Sequence, residues 1–244
     1  MILEKPQIFN QFPEIIFGLS TKFKTSQNDK FNFNMSKSIG DKDINVEENR
    51  RTFFESIGLS VNSVIVQKQI HSDIINVVDE YSSGLVGDAL ITRKSNLGLA
   101  VSTADCTNIY LYDSGKKIIA AVHSGWAGTE KRILEKTLIR MKTEFSCNPK
   151  NIYCYFGPSI CQLNYEVGDE FKAKFDAKYL IPKNGKYLLD LKSANKHMLI
   201  NYGIPNNQIE DSEICSFENE KFHSYRRDKD YSGRALGVIA INGI

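Results

Sequence analysis

Residues 98–145 read GLAVSTADCTNIYLYDSGKKIIAAVHSGWAGTEKRILEKTLIRMKTEF. Three short runs, GLAVS, NIYLY and KIIAAV, are rich in β-branched and aromatic residues and are separated by polar or glycine breaks, the composition of strands. The period then changes. Leu134, Leu138, Met141 and Phe145 fall at i, i+4, i+7 and i+11, one face of a helix expected from about Thr129 to residue 145. The two glycines of HSGWAG, Gly125 and Gly128, end the last strand and let backbone or ligand come close. Consecutive strands followed by a helix set the pattern for the whole chain.

Working outward, VIVQKQ (64–69), IINVV (74–78) and DALIT (88–92) read as further strands. Residues 45–59 read as a helix, with Val46, Phe53, Phe54 and Ile57 at helical spacing and Gly58 as its stop. Between residues 32 and 43 the chain is polar and loop-like. Downstream, 151–157 is a strand, 165–175 turns helical from about Val167, 187–191 is a short strand, 193–203 is a helix closed by Gly203, and 234–241 is a final strand. Strands run consecutively and helices are inserted irregularly. That order favours an α+β fold of mixed, sandwich-like sheets flanked by helices over a doubly wound sheet. No boundary separates two cores, so residues 1–244 are expected to form one domain.

Composition narrows the function classes. Lys plus Arg is 31 and Asp plus Glu is 29, a net charge of +2, which gives no basic footprint for nucleic acid. Apolar runs such as IIAAV and LGVIAI are strand-length, far below the roughly 20 residues of a spanning helix, so no membrane partner is expected. The N-terminal stretch lacks the apolar core of a signal peptide. Five cysteines, at 106, 147, 154, 161 and 215, are an odd number. Reduced thiols in the cytoplasm are therefore expected. The seven-residue spacing of 147, 154 and 161 matches no metal-ligand pattern.

Three residues sit at breaks between β runs: His71 in QIHSD, Cys106 in ADC and His123 in HSGWAG. Each has an ordinary alternative. His71 suits a surface turn, Cys106 a small buried hydrophobe, and His123 a hydrogen-bonded turn. Taken together, two histidines and a cysteine suit zinc, and three protein ligands with an open fourth position are the pattern of catalytic zinc. Cys106 as a nucleophile with a histidine base remains a competing assignment, although the adjacent Asp105 disfavours a thiolate unless a metal deprotonates it.

The ordered series QIHSD, GDALIT, VSTADC, AAVHSGWAGT, FGPSICQLNYEVGDE and SYRRD, with GLSTK, NFNMSKSIGDK and EENRR upstream, resembles the laccase-domain or YfiH-like family. That family is also called multicopper polyphenol oxidoreductase or peptidoglycan editing factor. The likeness spans about residues 17–240. It implies a single α+β domain with sheets flanked by helices, and zinc held by His71, Cys106 and His123, which are also the catalytic group. It implies phosphorolysis of purine nucleosides (adenosine, inosine, guanosine or methylthioadenosine), with adenosine deamination as a side activity. Copper-dependent polyphenol oxidation and peptidoglycan editing are further labels of the family. A metal-free Cys106 hydrolase and a non-enzymatic zinc-binding scaffold are the competing expectations.

Asn34 and Gln69 match family blocks and are expected near the substrate. Asp105 is expected to orient a ligand or move a proton, and Arg226 of SYRRD to meet phosphate, because an arginine fork suits phosphate. One departure stands out. The family block usually reads HAGWRG, and here Ala127 replaces the arginine. Arg226 and Arg227 are the expected compensation.

Overall fold

A computed structural model describes residues 2–3, 5–23 and 30–243. The first half carries β1 (Ile2–Leu3), α1 (Gln7–Asn10), β2 (Ile15–Ser20), α2 (Asp43–Ser56), β3 (Val64–Val66), β4 (Ile75–Val77), β5 (Ala89–Thr92), β6 (Gly98–Thr103) and β7 (Thr107–Asp113). It continues through β8 (Ile118–Ser124), α3 (Trp126–Glu130), α4 (Ile133–Phe145), β9 (Ile152–Phe156), β10 (Glu166–Val167), β11 (Leu180–Lys183) and β12 (Lys186–Leu189). The last elements are α5 (Leu191–Tyr202), β13 (Ile209–Asp211), α6 (Tyr225–Asp228) and β14 (Ala235–Ile241).

One sheet has the order β1-β2-β14-β6-β3 and a second the order β13-β9-β7-β8-β5-β4, while β10-β12-β11 form a small third sheet. Both large sheets are mixed: β3 pairs with β6, β4 with β5 and β13 with β9 in parallel, and the other pairs are antiparallel. This is the α+β arrangement expected from the order of elements.

Strand alternation builds the layers. In β14, Ala235, Ile239 and Ile241 enter the core between the two large sheets. Leu236, Val238 and Ala240 meet Phe53 and Phe54 of α2 on the other side. In β7, Tyr110 and Tyr112 face the same central core, and Ile109 and Leu111 face Leu134, Leu138 and Met141 of α4. The result is helix, sheet, sheet, helix. Every residue of β7, β8 and β14 is buried, because both faces of these central strands are covered.

Three local expectations are corrected. The helix expected from Thr129 begins earlier, at Trp126, and is interrupted at Arg132, which has φ 60°. A left-handed residue cannot continue a right-handed helix. Residues 165–175 form β10 and a 3₁₀ turn over Asp169–Ala173 instead of an α-helix. In 187–191 the strand stops at Leu189, because the Asp190 side chain caps α5 through the Ser193 N–H. The strand β2, IIFGLS, is an addition to the elements read from sequence.

The central core is close-fitting at one point. A Cβ added to Gly237 of β14 would lie 1.8 Å from the Tyr110 hydroxyl, and among the described residues that buried hydroxyl has no hydrogen-bond partner. Gly237→Ala is therefore expected to cost about 1–3 kcal/mol through overpacking. Tyr110→Phe, which removes an unsatisfied buried hydroxyl, is expected to be neutral or mildly stabilising. Thermal melts of the two variants check both.

Candidate metal centre

The site is a consequence of where β8 lies. β8 runs between β7 and β5, with Asn108 opposite His123 on one side and Ala89 opposite Val122 on the other. Asp88, which precedes β5, therefore faces His123. The His123 N–H donates to the Asp88 carbonyl at 2.7 Å, and His123 Nδ1 lies 2.9 Å from Asp88 Oδ1. Cys106 immediately precedes β7, so the hairpin brings it to the same end of the sheet as His123. Gly125 lies beside it. A Cβ at Gly125 would come within 2.9 Å of Cys106 Sγ and 3.1 Å of His71 Cδ2, so a side chain at this position would intrude on two of the three ligand candidates.

His71 is delivered by a turn in which its own φ is 57°. The Asp88 carboxylate holds that turn. It accepts from the N–H groups of Ile70, His71 and Ser72 at 3.3, 3.1 and 2.6 Å, and from the Ser72 hydroxyl at 2.6 Å. Asp88 is wholly buried and is the functional residue missed in the sequence. Its signals were its place in the GDALIT block and its position, an acid directly after Gly87 and before the apolar strand ALIT.

The donor atoms of His71, Cys106 and His123 all lie within 4.8 Å of one another. Cys106 Sγ is 4.0 Å from His71 Nε2. Ligand bonds of about 2.3 Å to sulfur and 2.0 Å to nitrogen at tetrahedral angles would separate S and N by about 3.5 Å, so a small closure suffices. His123 spends Nδ1 on Asp88, which leaves Nε2 for the cluster, the carboxylate–histidine–metal arrangement of bound sites. The donor set and its support fit a borderline cation.

The charges are coupled. Burial raises the Asp88 carboxyl, but hydrogen bonds from His123 and Ser72 outweigh it and hold it at about 2. Burial opposes a charged His123, yet Asp88 and then Cys106 lift it to about 9. Burial raises the Cys106 thiol, and the hydrogen bond and charge of His123, joined by His71, bring it down to about 6. The thiolate that a metal ligand requires is thus favoured by the protein itself.

The three residues open onto a cleft of about 810 Å³ whose lining includes Gln69, Ser102, Arg50 and Arg234. Arg50 Nε donates to the Met35 carbonyl at 2.8 Å. Arg234 Nη1 donates to the Ser232 and Gly233 carbonyls at 2.8 and 2.9 Å. Among the described residues neither guanidinium has a carboxylate partner, and burial lowers the pKa of both. Two half-buried cations held by carbonyls and, for Arg234, by the Tyr225 ring 5.5 Å away, with donors to spare, form a seat for an anion.

The other sequence candidates lie as follows. Gln69 lines the cleft and bridges Ser102, donating to its carbonyl at 2.8 Å and accepting from its N–H at 2.7 Å. Asn34 is fully buried, and its side-chain oxygen accepts from the Arg234 N–H at 3.0 Å. The Asp105 carboxylate accepts from the Ser216 hydroxyl at 2.7 Å and the Arg226 N–H at 2.6 Å. Arg226 reaches the Glu166 carbonyl at 2.8 Å and covers the Tyr165 ring. Arg227 binds the carbonyls of Ser216, Phe217 and Phe222 and the Asp228 carboxylate, so its guanidinium is occupied. Ala127 lies in α3, and Lys131, one turn on, donates from Nζ to the His71 carbonyl at 3.3 Å. Trp126 packs edge-on against Phe171 at 5.3 Å.

Residues 17–242 match the family described as multi-copper polyphenol oxidoreductase laccase. The chain is 37% identical to a purine nucleoside phosphorylase of Clostridium acetobutylicum over 238 residues, covering 95% of this chain and 94% of that one. It is 34% identical to an adenosine deaminase from an unknown prokaryotic organism, covering 84% and 86%. The YlmD protein of Geobacillus stearothermophilus superposes with a TM-score of 0.89 at 28% identity, covering 96% of this chain and 94% of that one. With the fold, the extent of the match and the identities in agreement, the chain belongs to the multi-copper polyphenol oxidoreductase laccase family.

Proposed function

We propose that residues 1–244 form one domain that acts as a purine nucleoside phosphorylase, with zinc held by His71, Cys106 and His123 and with adenosine deamination as a second activity. The observation that carries the proposal is the meeting of two features in one cleft: a three-donor cluster and two guanidiniums free of carboxylates. The names of the phosphorylase and deaminase relatives supply the reaction classes.

Bound at this cluster, zinc would supply Lewis-acid polarisation of a phosphate or ribose oxygen. The remaining work belongs to the chain. Arg50 and Arg234 bind and orient phosphate in the cleft, replacing its water shell with fixed donors. Asn34 serves by positioning Arg234, and Gln69 by fixing the cleft wall at Ser102. Asp88 holds the His71 turn and the His123 tautomer. Asp105 and Arg226 brace the Cys106 loop against α6. The site needs Cys106 reduced, which suits the cytoplasm.

The test is metal-loaded protein supplied with adenosine, with and without phosphate. Phosphate-dependent ribose-1-phosphate is expected, together with slower inosine formation. Absence of both products removes the proposal. Arg50→Gln and Arg234→Gln are each expected to raise the KM for phosphate about tenfold or more, since a hydrogen bond to a charged group contributes about 1.5–3 kcal/mol. Steady-state kinetics with phosphate as the varied substrate checks this.

A second assignment has its own observation. Asp88, His123 and Cys106 also form an acid–histidine–thiol relay with the thiol at about 6, the makings of a cysteine nucleophile. Alkylation separates the two: one equivalent of zinc is expected to protect Cys106 from iodoacetamide without loss of turnover.

A further inference from the structure

A second group of potential ligands lies outside the cleft. Cys161, Cys215 and Glu218 place their donor atoms within 4.8 Å of one another. The point on which they converge is already filled by a polar hydrogen-bond donor. Asn164 Nδ2 lies 3.1 Å from Cys161 Sγ, 3.6 Å from Cys215 Sγ and 2.7 Å from Glu218 Oε1. One amide nitrogen serves three acceptors, which is the place a cation would take. A cation at that point would displace the Asn164 amide, whose oxygen could then turn to it as a fourth ligand beside two sulfurs and the Glu218 oxygen.

We propose that Cys161, Cys215 and Glu218, with the Asn164 side-chain oxygen, form a second binding site for a thiolate-preferring divalent cation of the zinc class. Two thiolates select a borderline or soft metal over calcium or magnesium. The Cys161 N–H lies 3.2 Å from Cys215 Sγ, the N–H···S support that outer partners give to metal-bound sulfur. Cys215 is buried, while Cys161 is only half-buried and Glu218 is exposed, so the site opens to solvent on the carboxylate side.

The site would clamp two loops that hold the first metal centre. Residues 159 and 215 pair as an isolated parallel bridge, with the Ser216 N–H donating to the Ser159 carbonyl at 3.1 Å. Beside Cys161, the Ile160 N–H donates to the Asp105 carbonyl at 2.9 Å. Beside Cys215, the Ser216 hydroxyl donates to the Asp105 carboxylate. A cation joining Cys161 to Cys215 thus ties down two of the three contacts of Asp105, the residue that precedes Cys106. It acts as a structural brace and takes no part in turnover.

Cadmium titration of the whole protein tests this, because thiolate–cadmium charge transfer in the ultraviolet counts sulfur ligands and mass spectrometry of the metal counts ions. Two equivalents are expected for the native chain. Cys106→Ser is expected to bind one equivalent and to lose about one third of the band, since one of three ligating thiolates is gone. Cys215→Ser, which keeps an acceptor for the Cys161 N–H, is expected to bind one equivalent at the first centre. In the Cys106→Ser background, cadmium is expected to raise the melting temperature, and the further change Cys161→Ser is expected to abolish that rise. A single equivalent in the native chain, lost entirely in Cys106→Ser, overturns the proposal. So does a Cys161–Cys215 disulfide in the protein isolated without oxidant, read as linked peptides after alkylation and digestion.

Discussion

Cys106→Ala is expected to be isolated without stoichiometric metal at the first centre and to lose phosphorolysis by about 10³-fold or more, the scale of a several-kcal/mol Lewis-acid contribution. Stability should change little. The structural bond at this residue is the Thr103 hydroxyl to the Cys106 carbonyl at 2.6 Å, and alanine keeps it. Loss of activity alone would not separate a metal ligand from a nucleophile, so His71 decides. If Cys106 is a nucleophile, the Asp88–His123 pair suffices as its base and His71 is dispensable. If it is a ligand, His71→Asn abolishes metal binding and turnover together. Asparagine is the suitable replacement because it tolerates the φ of 57° at this turn. Metal content and kcat/KM measured on one preparation give the answer.

Asp88→Asn is expected to weaken metal binding about 10–100-fold, as loss of a carboxylate behind a ligating histidine commonly does. It is also expected to destabilise the protein by about 3 kcal/mol or more, because a buried network loses its only charge acceptor. That is a large fraction of the roughly 5–15 kcal/mol that holds a domain. The pH dependence follows from the carboxyl being held at about 2. A depressed carboxyl contributes stability that is fully present above its unfolded value near 4 and is lost as pH falls through its folded value. The native protein should therefore lose about 2 kcal/mol between about pH 4 and pH 2 from this group, and the asparagine variant should lack that limb. Thermal melts against pH in the metal-free state measure it.

Much of the frame was legible in the residues. The change of period at residues 128–145, the run of short β segments and the late helices were enough for α+β layers. The misreadings share a cause. β2 went unread because its apolar run carries Gly18, which sits where a Cβ would lie 2.6 Å from Ile57 Cγ2, a tertiary reason no local pattern displays. The break at Arg132 is likewise a backbone choice that propensity does not encode. The spacing of Cys161 matched no ligand pattern, because its companions Cys215 and Glu218 are more than fifty residues away and meet it only through the bridge at Ser159.

The candidate metal centre divides along the same line. Sequence by itself offered the candidate donors, two histidines and a cysteine at breaks between β runs, and through ordered motifs the family. It also contained half of the geometry, since Cys106 and His123 flank one hairpin and an antiparallel register brings such ends together. What only the tertiary structure decided was the role of Asp88 and the choice of cations. Asp88 meets His123 because β5 lies against β8. Arg50, from α2, and Arg234, from the loop that leads into β14, line the cleft, and Arg226 does not. Ligand identity is a property of side chains and can be read in order. Which charged groups are left without partners is a property of burial and register, and it exists only once the sheets are packed.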